Sequence, residues 1–243
     1  MARFITILLA ESAIEAFPEE LLKNIEIRKY LQKIKKKPEN IMLDASYHKN
    51  FMKNLADSEK RGRPDIVHFA LLSCFGSIIA REGRLRVLIH TYDDKIIELQ
   101  SETRLPKNLD RFNGIFLQLF KEKQIPPNSS DPLMKLSEGS LDNLVKKLRK
   151  EHDQIIEFTV EGKKLTTREY SEILHTHSVN PLLIFGAFPH GHLTRFSKDL
   201  VDHRISIYEE GLDLFAVIAQ ILSSLHALEE NSKKSSDVEI SWE

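Results

Sequence analysis

There is one cysteine in 243 residues, Cys74, and it lies inside an apolar helical run. A disulfide framework and a cysteine-type zinc site are thereby excluded, and Cys74 reads as a small core residue of a protein kept in a reducing cytoplasm. No apolar stretch approaches the ~20 residues that span a bilayer, so no membrane is expected as a partner. Met1-Ala2-Arg3-Phe4 leads into only six or seven apolar residues before Glu11. That run is too short, and lacks the small-residue cleavage site, for a signal peptide. Several catalytic signatures are missing too. No G-x-G-x-x-G follows an apolar run, which argues against a Rossmann-type dinucleotide or methyl-donor site. Gly186-x-x-x-x-Gly191 has the glycine frame of a phosphate loop, but His192-Leu193 follows. The lysine that holds β/γ-phosphates and the hydroxyl that holds Mg²⁺ are therefore absent. There is no G-x-S-x-G elbow and no H-E-x-x-H. His175-x-His177 and His190-x-His192 have no carboxylate partners at useful spacing, so no metal is expected. No internal repeat is visible.

What remains is the balance of a soluble globular protein, with 41% hydrophobic and 29% charged residues on a chain long enough to bury a real core. The net charge of −1 hides an asymmetry: residues 1–125 carry 22 Lys+Arg against 17 Asp+Glu, and residues 126–243 carry 13 against 19. A basic face in the first half, and an anionic partner for it, is the expectation.

Apolar, β-branched runs predict strands at 4–10, 41–43, 85–91, 95–99, 155–160 and 181–185, with a further extended piece at 205–208. Helical spacing predicts helices at 21–37, 66–80, 133–150, 167–174 and 212–228, and another from Phe112. Residues 44–48 read as a loop at a strand end, and proline-rich 124–132 as a linker. The alternation is that of an α/β protein with a largely parallel sheet.

Glu59-Lys60-Arg61-Gly62-Arg63-Pro64-Asp65 leads into the apolar helix at 66–80. Pro64 suits the first helical position, and Asp65 the first turn, where the dipole favours an anion. The stretch is therefore either a well-made helix start or an anion-binding loop that aims one carboxylate at a substrate. Arg104, Lys107 and Arg111 form a second basic loop before the Phe112 helix. Each loop alone is a solvated edge or a phosphate-binding one, and the pair points to a nucleic-acid backbone. The lysines at 33–37 are read as complements to a helix C-terminus. The turn after Phe185 is either a simple tight turn or one whose glycines let backbone amides approach a ligand.

Six stretches in register carry a resemblance. They are Leu43-Asp44-x-Ser46-x-His48, Arg63-Pro64-Asp65-Ile66-x-His68, Ile89-His90-Thr91, Arg104-x-Pro106-x-x-x-Asp110-Arg111-Phe112-x-Gly114, Gly186-Ala187-Phe188-x-His190-Gly191, and Ser206-Ile207 closing into a C-terminal helix. Together they resemble the ribosomal-RNA pseudouridine N1-methyltransferases of the SPOUT class, which are also small-subunit assembly factors. The chain is more similar to archaeal than to eukaryotic members, having no long N-terminal extension. The resemblance implies one SPOUT domain over 1–228, a hairpin and helical extension within about 85–150, and a polar tail at 229–243. It also implies a C-terminal trefoil knot, a homodimer, and S-adenosylmethionine as cofactor. Phe185, Gly186, Gly191, Ile205, Ser206, Ile207, Tyr208 and Leu212 would surround that cofactor, with Leu174 as a third wall. The sequence departs from the family pattern at Lys107, often arginine, and at 205–210, where a serine-rich segment is expected.

On the chemistry, Asp65 is expected to orient the pseudouridine or accept its ring proton, and Arg63 to stabilise negative charge spreading to the ring carbonyls. The target must leave its stack, so Lys60, Arg61, Arg63, Arg104, Lys107 and Arg111 are expected to bind the small-subunit rRNA. The alternative is an RNA-binding assembly factor with little or no catalytic role.

Overall fold

The computed structural model describes residues 4–233. Its centre is β1 (Ile5–Ser12), buried along its whole length. It lies parallel between β2 (Leu85–Thr91) and β7 (Pro181–Gly186). Successive side chains of a strand point to opposite faces. Ile5, Ile7 and Leu9 accordingly join one core with Val87, Ile89, Leu183 and Phe185, while Leu8 and Ala10 join another with Leu88, Leu182 and Ile184. A sheet covered on both faces is why these segments are continuously apolar.

Eight strands form one sheet, in the order β4-β5-β3-β2-β1-β7-β6-β8. β6 (Gln154–Lys164) and β8 (His203–Ser206) extend the parallel half beyond β7. On the other side, β3 (Lys95–Leu99), β4 (Gln124–Ile125) and β5 (Met134–Glu138) are antiparallel. The expectation of a largely parallel sheet is corrected to a mixed one.

α3 (Pro64–Gly76), α4 (Ile78–Arg81), α5 (Leu109–Glu122), α7 (Thr167–His177) and α8 (Leu214–Lys233) pack against the larger core; α6 (Leu141–Leu148) covers the opposite face. α1 (Ile25–Ile34) and α2 (Ala45–Met52) close a third, smaller core around Ile27, Leu31, Leu43 and Met52.

Other expectations are corrected by tertiary context. Residues 133–150 are not one helix: Met134–Glu138 pairs with β3, and Ser140 then caps α6. The proline-rich 124–132 is no linker, because Gln124–Ile125 adds the sheet's edge strand. Residues 41–43 make only an isolated bridge, Ala16 to Met42, and Asp44 caps α2, so 45–48 is helix rather than loop. The helix expected at 21–37 is a 3₁₀ turn followed by α1, with Asn24 as its N-cap. The helix expected at 66–80 starts at Pro64 and is split at Ser77, whose hydroxyl caps α4. α8 runs to Lys233, with Glu229 paired to Arg84 at 2.9 Å, so a tail does not begin at 229. Met1, Ala2, Arg3 and residues 234–243 lie outside the described residues.

Near its end β6 doubles over β8: Phe158 and Lys163 are both register partners of Ile205. The close approach is at Gly162, where a Cβ would stand 2.5 Å from the Ile205 nitrogen and 2.6 Å from the Arg204 carbonyl carbon.

Candidate active site

In α/β sheets, ligands bind beyond the carboxyl ends of the strands. Here β7 and β8 end on either side of β6, and the residues Phe185, Phe158 and Ile205 are in register across the three. The Phe158 and Phe185 rings stack with centroids 4.9 Å apart. This apolar floor lies under a cleft of about 280 Å³. Gly186 and the chain at 205–208 form its backbone-rich walls, and Leu212 closes one end. The Ser206 hydroxyl donates to the Tyr208 carbonyl at 2.5 Å, which folds that wall inward. Gly186 cannot carry a Cβ without meeting the Phe188 ring at 2.7 Å.

Seven of the nine residues expected around a cofactor therefore line this cleft. Two do not. Leu174 is buried on α7 and faces a separate cavity with Tyr170 and His177. Gly191 lies beyond the cleft, with φ +92° and its α-carbon turned toward Lys60. Phe158, Glu210 and Asp213, all in the lining, were not foreseen. Strand register brings Phe158 there, and nothing in local sequence reveals register.

Arg63 lines the cleft from the N-cap position of α3, with Pro64 in the first turn; Asp65 is outside the lining and is held beside it by Arg63. Arg63 donates through Nε and Nη2 to the two Asp65 oxygens, both at 2.8 Å. Burial pushes the Asp65 carboxyl up, but the Arg63 hydrogen bonds and charge outweigh it and hold the carboxyl below its usual range. The hydrogen bond to Asp65 in turn holds Arg63 as a cation, assisted by the nearby charges of Asp44 and Asp213.

The other cations divide. Lys60 and Arg61 are buried, which corrects the expectation that they project toward a phosphate backbone. Lys60 donates from Nζ to Glu11 at 2.9 Å, to the Thr194 hydroxyl at 3.1 Å and to the His192 carbonyl, and it lies over the Phe188 ring. Arg61 forks onto Glu15 at 2.8 and 2.7 Å, reaches Glu20 at 2.9 Å and stacks on Tyr92. Burying a charge costs free energy unless it is paired, and both are fully paired. Arg104, Lys107 and Arg111 are exposed. Their loop is tied to the first turns of α3 by His68, whose Nε2 lies 2.7 Å from the Pro106 carbonyl.

Glu11 was not foreseen either. It sits at the end of β1 with φ 45°, and its carboxylate also accepts from the Thr194 and Arg195 amides, each at 2.8 Å. One buried ion pair thus joins the loop before Arg63 to the loop after the glycine turn.

The comparisons bear on this geometry. The family model described as "EMG1/NEP1 methyltransferase" matches residues 7–226. The chain is 34% identical over 221 residues to the Ribosomal RNA small subunit methyltransferase Nep1 of Thermococcus kodakarensis, covering 91% of this chain and 97% of that protein. It is 38% identical over 220 residues to the protein of the same name from Staphylothermus marinus, covering 90% and 93%. The crystal structure of Archaeoglobus fulgidus Nep1 bound to S-adenosylhomocysteine superposes with a TM-score of 0.78 at 27% identity, over 95% of this chain and 100% of that one.

Proposed function

The chain belongs to the EMG1/NEP1 methyltransferase family, and from that premise we propose how its cleft works. The protein is an S-adenosylmethionine-dependent methyltransferase of small-subunit ribosomal RNA. The observation that carries the assignment to this cleft is the aligned floor of Phe185, Phe158 and Ile205 under a glycine-opened backbone wall.

The cleft fits that cofactor chemically. Stacked phenylalanines suit an adenine face. Gly186 lets backbone approach a ligand without side-chain bulk, and the chain at 205–208 adds further backbone groups to the wall. Glu210 and Asp213 put carboxylates on the lip, opposite the charge expected of a sulfonium and an α-ammonium group. When bound, S-adenosylmethionine supplies an already activated methyl group.

The residues of the chain then have to position a nucleophile. The proposed acceptor is N1 of a pseudouridine, a ring nitrogen that loses its proton as the methyl group arrives. Asp65, held below its usual pKa by Arg63, stays ionised and is a weak base, so its role is to orient the base while the N1 proton leaves to water and N1 takes the methyl group from the sulfonium. Arg63 balances negative charge that spreads onto the ring carbonyls. Arg104, Lys107 and Arg111 hold flanking phosphates.

Three finer features complete the proposal. The doubling of β6 over β8 at Gly162, with α8 tucked between α3 and α7, supports a C-terminal trefoil knot within one domain. Phe69 and Phe215 are 49% and 42% exposed with rings 6.0 Å apart, beside Leu72. Such a patch on α3 and α8 suits a homodimer. Among the described residues no helix is long and apolar enough to cross a membrane, and the proposed compartment is the cytoplasm.

Calorimetry with S-adenosylhomocysteine tests the cleft, and methyl transfer to a hairpin with pseudouridine, against uridine, tests the acceptor. Binding with transfer only to pseudouridine is expected. Absence of binding would overturn the cofactor assignment, and equal transfer to uridine would overturn the N1 acceptor.

A further inference from the structure

The excess positive charge of the first half does not sit in the two basic loops. Residues 23–53 hold nine lysines and arginines against three acidic residues, Glu26, Glu39 and Asp44. All nine cations are exposed, and among the described residues none makes an ion pair or a side-chain hydrogen bond. Elsewhere cations such as Lys60, Arg61, Arg149 and Arg204 are paired. α1 buries Ile27 and Leu31 and turns Arg28, Lys29 and Lys33 outward. α2 likewise buries His48 and Met52 and presents Lys49 and Lys53. Lys29/Lys33 and Lys49/Lys53 are four residues apart, where like charges destabilise a helix. Complementing a helix dipole explains Lys33 in the last turn of α1, and Lys49 and Lys53 at the end of α2, but not Arg28 or Lys29. The Lys29/Lys33 repulsion weakens α1 unless an anion outside the chain covers it.

The unit is fastened to the active site. The Ala45 amide donates to the Gly62 carbonyl at 2.8 Å, next to Arg63, and the charge of Asp44 reaches Arg63. Tyr47, in the first turn of α2, is 76% exposed. It offers a stacking face to a base on the helix that is fastened next to Arg63.

We propose that the α1–α2 surface is a second RNA-binding track, which takes the sugar-phosphate backbone of strands flanking the target loop, with Tyr47 stacking a base at its entrance. This rests on the rRNA methyltransferase reading and extends it beyond the cleft. Exposed cations on and beside two helices, unpaired among the described residues, suit a polyanion that needs no base readout.

The test uses two probes, a short pseudouridine hairpin and the same hairpin with single-stranded flanks of about ten nucleotides. The combined variant is Lys33→Gln, Lys36→Gln, Lys37→Gln and Lys49→Gln. Wild type should bind the flanked RNA more tightly and with the steeper salt dependence. The variant should lose that advantage, its log–log salt slope falling by up to about 3 for four lost single-strand phosphate contacts. Methylation of the short hairpin and affinity for S-adenosylhomocysteine should not change. An unchanged slope on flanked RNA, or a wild type that gains nothing from flanks while methylating the short hairpin, overturns the track alone. A wild type that binds neither RNA overturns the track together with the rRNA reading.

Discussion

Lys60 and Glu11 form an ion pair at 2.9 Å with both side chains all but excluded from water, and 48 residues of chain lie between them. Glu11 ends the central strand, and Lys60 precedes Arg63. Through Thr194 and His192 the pair also anchors the chain that follows the glycine turn. Removing one partner of a buried pair leaves the other charge uncompensated.

Lys60→Met should therefore cost about 3–5 kcal/mol of stability, read as a lower urea midpoint. Affinity for S-adenosylhomocysteine should fall at the same time, because the glycine turn loses its anchor. The double variant Lys60→Met/Glu11→Leu should lose much less than the two single losses added together. Strictly additive losses would mean that the two residues are not coupled.

Asp65→Asn should separate chemistry from folding. Arg63 and Asp65 are 40% and 28% exposed, so their pair contributes only about 1 kcal/mol or less to stability. Misplacing the acceptor ring should nonetheless slow methyl transfer about 100-fold. Single-turnover rates together with the melting curve decide the matter, and full activity in this variant would remove Asp65 from the chemistry.

Stability should fall on mild acidification. His48, His90 and His152 are buried, and burial lowers each pKa from its usual value against the opposing pull of Asp44, Asp94 and the Leu148 carbonyl respectively. A histidine held neutral in the folded state takes up its proton more readily when unfolded. The stabilisation is present above the unfolded pKa of about 6.5 and declines as pH drops toward the folded value, by up to about 1.4 kcal/mol per pH unit for each group. Urea midpoints from about pH 7.5 to 5.5 read this window, above the range where carboxylates titrate. A flat profile would contradict neutral burial.

Gly162→Val should be damaging although it lies near the end of β6. Even a single Cβ would meet the Ile205 nitrogen at 2.5 Å, and that contact is backbone that cannot swing aside. Overpacking costs about 1–3 kcal/mol in ordinary cores, and here the displaced strand also carries the cleft floor. Expected outcomes are a lowered melting temperature and loss of cofactor binding together. Unchanged binding would show that the crossing can open without disturbing the cleft.

Local pattern made much of this legible. The strands at Leu85–Thr91 and Lys95–Leu99 match the expected spans, because their apolar runs are bounded by turn residues. The helix start at Pro64 and Asp65 follows from the chemistry of a first turn. Residues 133–150 are ambiguous in sequence because Leu136 fits a helical stripe as well as a strand, and only pairing with Ile97 decides it. The nine cofactor candidates follow from the family resemblance. The cleft gathers seven of them, because the ends of β7 and β8 flank the same strand.

By itself the sequence determined what each segment can bury and which chemistry is missing: doubly covered strands, no zinc cysteines, no phosphate loop, and a proline–aspartate helix start beside arginines. Tertiary structure decided which charges face water. Lys60 and Arg61 look like neighbours of Arg63 in a basic loop, yet their partners Glu11, Glu15 and Glu20 are brought to them from the first twenty residues of the chain. Among the described residues the cations of α1 and α2 meet no such partners and stay exposed. Charge is a property of the residue, but pairing depends on distance in space, and only the fold sets that distance.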